Sequence, residues 1–525
     1  MTRLLNRTAG RLLTGLTNLG ARGFLARVFS TRLNGRGRSL LLVALAIWVG
    51  LGVLLLDRGD AALPISNLYC QLSPTEITQT STLHQAALKG DAAAAQQYQA
   101  LVRQHSQQLN QCRSQNWPRA QAVWLRLYPC DALDGVVEEL LDRVVARGYN
   151  EVYLEVFYNG QVLLPSAQNP TVWPSVIRTP GHETVDLLAR TIASGHERGL
   201  KVDAWMFTLN FGYTYSQRPG ADQVLARNGS GDSSITARPP EADGPQANAD
   251  ETFVDPYSLQ AKQDYVTLLQ SILQRRPDGV LFDYIRYPKG TGSASVASRV
   301  QDLWIFGAAA QQALFDRALN PKGAALIQQY LSQGYVSASS LDGLDALYPD
   351  QTPLWQGLNP SDSDSSAGSW QIELWRLSVA HAIQGVLDFL NLAVAPVEQL
   401  GIKAGAVFFP DGNQTVGAQG FDSRLQPWDR FPSTIEWHPM SYATCPDSSC
   451  IVAQIQRVMK QAPAGTDVQP VLAGLWGKTL NGHPPLEQQM QAVRQAFPQL
   501  QSVSHFAFSW QEPEFDRNRK FCKLQ

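Results

Sequence analysis

Between residues 121 and 510 the chain repeats one texture. A short run of apolar residues is followed by a longer stretch in which apolar side chains recur every three or four positions. The short runs read as strands and the longer stretches as amphipathic helices, and their alternation predicts βα units around a parallel sheet. Eight runs qualify: 122–127, 151–157, 201–207, 279–283, 403–409, 434–440, 468–475 and 503–509. Eight parallel strands close into an α/β (β/α)8 TIM barrel. Leu133, Val136, Val137, Leu140, Leu141, Val144 and Val145 form one helical stripe for the barrel wall, and Trp375, Val379, Ala382, Ile383, Val386 and Leu390 form another. The long excursions at 212–252, 288–370 and 410–432 all follow strand C-termini, the end on which such barrels build their sites.

A different pattern precedes the barrel. Residues 1–39 hold eight Arg and no acid, and lead into an uncharged apolar run from Leu40 to Leu56. At about 1.5 Å per residue that run reaches roughly 25 Å, enough to cross a hydrocarbon layer as an uncleaved signal anchor. The arginines predict a basic cytoplasmic tail at 1–39, a transmembrane segment at 40–56, and a chain exported to the periplasmic or extracellular side of a bacterial membrane. Residues 57–118, rich in Ala and Gln, read as a helical stalk, and 119–525 as the barrel domain. All six cysteines lie beyond the apolar run, as disulfide pairing in an oxidising compartment requires. Cys70 and Cys112 bracket the stalk helices. Barrel closure brings Cys130, after the first strand, near Cys522, beyond the eighth, and leaves Cys445 and Cys450 to close a short loop.

Composition narrows the functional classes. With 44% hydrophobic and 17% charged residues the chain is globular. The basic charge is confined to the tail, so the body carries no nucleic-acid footprint. No GxSxG, HExxH, GxGxxG or P-loop motif is present, and no cofactor or metal is expected. The most informative stretch is 278–288, DGVLFDYIRYP, in which the fourth strand ends on Asp283 and is followed by Tyr284, Arg286 and Tyr287. A carboxyl at that mouth can work as an acid, with an arginine and two aromatics for sugar hydroxyls and ring faces. A cap on the following loop, or a pair with Arg286, accounts for the same aspartate.

These residues resemble the glycosyl-hydrolase-like family 10 proteins of bacteria. The resemblance runs over roughly 121–510 and includes NEVYLEVFYNGQVLLPS at 150–166, RGLKVDAW at 198–205, Trp375-Arg376 opening a helix, and PMSY at 439–442. It implies an exported barrel that hydrolyses glycosidic bonds in a cell-wall or extracellular polysaccharide. This chain departs from the family pattern at Glu155 and Phe157, where Gln and Arg are usual, and at Gln161 and Asp203, where Asp and His are frequent.

Glycoside hydrolysis generally needs two carboxyl groups flanking the bond. Asp283 is the expected acid, and Glu155, Asp203 and Glu436 are the candidates for its partner. The two-residue period places Glu436, His438, Met440 and Tyr442 on one face, either the barrel interior or the helix-facing exterior. If interior, His438 and Tyr442 are site residues; a hydrogen-bonded core histidine and a salt-bridged structural acid are the alternatives for His438 and Glu436. Trp205, Trp476 and Trp510, at or past the ends of the third, seventh and eighth strands, offer flat faces to sugar rings. Arg376 joins the expected substrate contacts through the resemblance. The expected activity is therefore that of a glycosidase, with a non-catalytic glycan-binding barrel and a transglycosylase as alternatives.

Overall fold

The runs that alternate on a two-residue period form strands, and each lies beside its predecessor. In a computed structural model of the protein, describing residues 69–237, 251–358 and 366–523, the eight barrel strands are β1 (Ala120–Leu125), β2 (Glu151–Tyr158), β3 (Lys201–Phe207), β4 (Gly279–Asp283), β5 (Lys403–Phe408), β6 (Glu436–Ser441), β7 (Val471–Ala473) and β8 (Ser502–Phe506). All their pairings are parallel, and β1 pairs with both β2 (Ala122 opposite Glu151) and β8 (Ala120 opposite Ser502), so the sheet is closed. The expected eight-stranded barrel is present. The seventh run shortens to three residues because Pro470 supplies no N–H to the ladder.

Interior positions are filled by rings. Trp124 packs edge-on against Tyr153 at 4.9 Å and Trp205 at 4.8 Å, and Tyr153 meets His438 edge-on at 5.4 Å. Gly405 faces this layer, where a Cβ would come within 2.5 Å of Leu281 Cδ2 and 2.9 Å of the His438 ring. Room for a histidine inside the barrel thus depends on a missing side chain opposite. Helix Val136–Ala146 buries the expected stripe from Val136 to Val145 against the wall, whereas Leu133 lies before the helix and is exposed. Among the described residues one helix, Ala367–Gln399, is long and apolar enough to cross a membrane, yet Ala382, Val386, Phe389 and Leu390 are fully buried and it feeds β5. The apolar run at 40–56 lies outside the described residues.

The helices expected as a stalk, Pro74–Leu88 and Ala92–Gln115, form a hairpin packed on the barrel's helical layer. Arg113, 2% exposed, donates to the carbonyls of Gly148 and Tyr69 and to Gln121 Oε1. Tyr98 donates to Asp142 at 2.6 Å and accepts from Arg198 at 2.7 Å, which fastens the hairpin to two barrel helices. The three expected disulfides, Cys70–Cys112, Cys130–Cys522 and Cys445–Cys450, are all formed. The insertions after β4 and β5 stand over the C-terminal end and share a small sheet, Val296–Ala297 with Gly420–Asp422 and Thr415–Val416.

Candidate active site at the C-terminal mouth

Asp283 is the last residue of β4, and its side chain turns into the mouth. It accepts the Trp205 indole N–H at 3.2 Å and the Tyr284 backbone N–H at 2.6 Å, and is 7% exposed. Tyr284 sits at φ 54°, a left-handed conformation uncommon for an aromatic residue. It is held there by its hydroxyl on Glu251 at 3.2 Å, by Phe207 at 4.2 Å and by the Arg286 guanidinium over its ring at 4.5 Å. Burial pushes the Asp283 carboxyl up to about 6, against the pull of the Tyr284 N–H, the Arg286 charge and the Trp205 indole; the charge of Glu155 pushes it further up. A carboxyl in that range retains part of its protons near neutrality, as a general acid must.

Glu155 reaches the same mouth from β2. The β2–β3 register shifts between Glu155 and Phe157, a bulge that re-aims the strand end. Its carboxylate, 1% exposed, takes both Nε and Nη2 of Arg126, which follows β1 and lies over the Tyr158 ring at 4.3 Å. Burial raises the Glu155 carboxyl and the Arg126 charge and hydrogen bonds lower it, leaving it above its ordinary value. Arg126 is 39% exposed, so the ion pair extends to the solvent side of the mouth. Sequence reasoning passed over Arg126, although its place directly after a barrel strand is the signal that singled out Asp283.

Aromatic residues build the far wall. Tyr442, half-buried, has its phenol pushed up by burial and by the Asp283 charge. Phe506 stands 5.8 Å from Tyr442, 6.4 Å from Trp205 and 5.9 Å from Trp510. Arg286, 6% exposed, donates to the Tyr287 carbonyl, and the buried Tyr287 donates to the Ala382 carbonyl; both support the loop from beneath.

Other expected site residues lie elsewhere. Glu436 opens β6 and pairs with Lys403, which opens β5, at 2.6 Å. Asp203 sits near the start of β3, against Gly279 at the start of β4. Both face the interior, but at the N-terminal end, which a strand advancing about 3.3 Å per residue separates from Asp283 by most of the barrel's height. The period assigned their face and carried no information on depth. Burial pushes Glu436 up, but His438 and Lys403 overcome it and hold the carboxyl at about 2. His438 is fully buried in the interior, its Nε2 3.4 Å from Glu436 Oε2. Trp476 packs against Tyr69 and His505. His505 alternates with the inward Ser504, which accepts from Trp124, so this tryptophan lies on the outer face of β8. Arg376, 70% exposed, pairs with Glu373 on its own helix.

A cavity of about 300 Å³ opens away from the mouth, between the hairpin and helix Val136–Ala146. Its acids Glu139 and Asp142 are engaged by Arg143 and Arg198. Cavity volume and acid chemistry therefore point to different places, and the carboxyls at the mouth carry the hydrolytic reading.

No family model matches the chain, and no curated protein sequence does. Solved structures resemble it at low identity. The glycoside hydrolase domain of PgaB (BpsB) from Bordetella bronchiseptica is 15% identical with a TM-score of 0.43, over 76% of this chain and 97% of that one. An exo-β-N-acetylglucosaminidase from Vibrio harveyi is 10% identical with a TM-score of 0.36, over 77% of this chain and 53% of that one. A β-N-acetylhexosaminidase from Bacteroides fragilis is 9% identical with a TM-score of 0.37, over 74% and 61%. The barrel itself rests on this chain's own strand order.

Proposed function

We propose that the protein is a membrane-anchored glycoside hydrolase of the glycosyl-hydrolase-like family 10 type, acting on a bacterial cell-wall or extracellular polysaccharide. The observation that carries this reading is the placement of Asp283 at the C-terminal end of β4, held by the Trp205 indole and the Tyr284 N–H, where burial pushes its carboxyl up to about 6. Asp283, protonated, donates to the glycosidic oxygen as the C–O bond breaks. Glu155, oriented by Arg126, stabilises the positive charge developing on the sugar ring; water then bonds to the ring carbon and passes a proton to the Asp283 carboxylate, which restores the acid. Three disulfides support an extracytoplasmic location, in keeping with the apolar run at 40–56.

The test is release of reducing ends from purified cell-wall glycan and exopolysaccharide. The parent should cleave at least one, and Asp283→Asn should cleave about 10²–10⁴-fold more slowly. A parent that binds these glycans and cleaves none would establish the second reading, a non-catalytic glycan-binding barrel. That reading has its own support, because Glu155 is 1% exposed and already engaged by Arg126. Products longer than the starting oligosaccharide would identify a transglycosylase.

A further inference from the structure

Two histidines sit in the interface between the helical hairpin and the barrel. His84 of helix Pro74–Leu88 and His105 of helix Ala92–Gln115 are each 4% exposed, and among the described residues neither ring makes a hydrogen bond. His84 stacks at 4.8 Å on Tyr98, the residue that fastens the hairpin to Asp142 and Arg198. With Leu88 it also lies on Gly135, directly before helix Val136–Ala146, where a Cβ would stand 2.7 Å from Leu88 Cδ1 and 3.2 Å from His84 Nε2. Both histidines line the cavity of about 300 Å³ between hairpin and helix, which carries solvent into the interface.

Glu138, Glu139, Asp142 and Arg143 face His84 from helix Val136–Ala146, with Arg198 beyond them, and Glu76 and Asp142 face His105. Glu138 accepts from Arg190 at 2.8 Å, Glu139 from Arg143 at 2.8 Å, Asp142 from Arg198 at 2.8 Å, and Glu76 from the Ser73 N–H at 2.7 Å. Each carboxylate thus serves another donor, and none bonds either ring. A charged imidazole placed here has lost its water and gained no acceptor. Burial therefore keeps both rings below the ordinary 6.5; the nearby acids pull the other way, and Arg198 adds to the lowering of His84. A docked hairpin binds fewer protons than an open one, so docking is at full strength above about 6.5 and weakens as pH falls below it.

We propose that the hairpin is an acid-released clamp: it stays docked while His84 and His105 are neutral, and its tip parts from helix Val136–Ala146 when they take up protons. The base stays in place, because Arg113 holds the Gly148 and Tyr69 carbonyls and the Cys70–Cys112 disulfide ties the second helix to the segment before the first. Release therefore leaves the hairpin tethered. Through Gly135 the tip bears on the segment 126–135, which delivers Arg126 to the mouth. The clamp itself does not depend on the glycosidase reading of that mouth.

The experiment is hydrogen–deuterium exchange of the full chain near pH 7.5 and near pH 5.5, corrected for the intrinsic pH dependence of amide exchange. Exchange in 74–105 and 136–146 should rise roughly tenfold at the lower pH relative to the barrel strands. That window lies above the ordinary range of carboxylates. Asp283 and Asp255, each pushed up to about 6 by burial, titrate within it, but their protons favour the fold and so act in the opposite sense. His84→Gln and His105→Gln should each remove part of the rise and the double variant all of it, whatever their exchange near pH 7.5, which assigns the change to these two rings rather than to histidines buried elsewhere. If thermal melts show the double variant unfolded, the two single variants decide by the same criterion. Equal exchange at both pH values in the parent, a rise spread evenly over barrel and hairpin, or a rise undiminished in the variants would overturn the proposal.

Discussion

The Arg126 guanidinium caps the Glu155 carboxylate in a two-point contact, with Nη2 donating to Oε1 at 3.1 Å and Nε engaging Oε2. The pair joins the ends of two neighbouring barrel strands and makes a deeply buried acid tolerable. Arg126→Leu should therefore leave Glu155 unpaired and push its carboxyl further up. A fully buried pair broken in this way costs about 3–5 kcal/mol, and the solvent exposure of Arg126 reduces the expectation to about 1–3 kcal/mol. Urea unfolding at neutral pH measures it, and an unchanged midpoint would show that the pair contributes nothing to the fold.

Asp283 should act on stability in the opposite direction from an ordinary paired carboxylate. Its pKa rises from 3.8 to about 6 on folding, so the protonated form favours the fold. Stability is fully present below about 3.8 and declines as pH rises toward about 6. Asp283→Asn should flatten that decline and, at neutral pH, stabilise by up to about 3 kcal/mol while the proposed hydrolysis slows. Melting curves from pH 4 to 7 on both chains would expose an error in the sign.

Glu436 titrates in the other sense. Held at about 2 against an ordinary 4.5, it contributes stability above pH 4.5 that is lost as pH falls through about 2. Glu436→Gln should cost about 2–3 kcal/mol at neutral pH and leave hydrolysis unchanged, because this acid closes the far end of the barrel. A loss of activity matching that of Asp283→Asn would return the second-acid role to Glu436.

Cys130 and Cys522 join the segment after β1 to the end of the described chain across 392 residues, whereas Cys445 and Cys450 are only 5 apart. Closing the longer loop removes more freedom from the unfolded chain. Cys522→Ser should lower stability by about 2–4 kcal/mol, and Cys450→Ser by less. Equal effects on the denaturation midpoint would contradict this ranking.

Much of this protein was legible in its residues. Period-two runs separated by helical stripes determined all eight strands, their order and the closure of the barrel, and closure in turn brought Cys130 to Cys522. The position of Asp283 at the end of a strand also followed from local order, because a strand's C-terminal end is known once its boundaries are. The tertiary structure decided which other side chains share that end. Glu436 and Glu155 both alternate inward, but Glu436 begins its strand while Glu155 lies in the C-terminal half of its own. Arg126 became the partner of Glu155 through the lateral pairing of β1 with β2, and Trp476 folded back onto the outer face of β8. Sequence period encodes which face a residue takes; depth along the barrel and neighbours across strands arise from register and loop packing, which only the closed fold supplies.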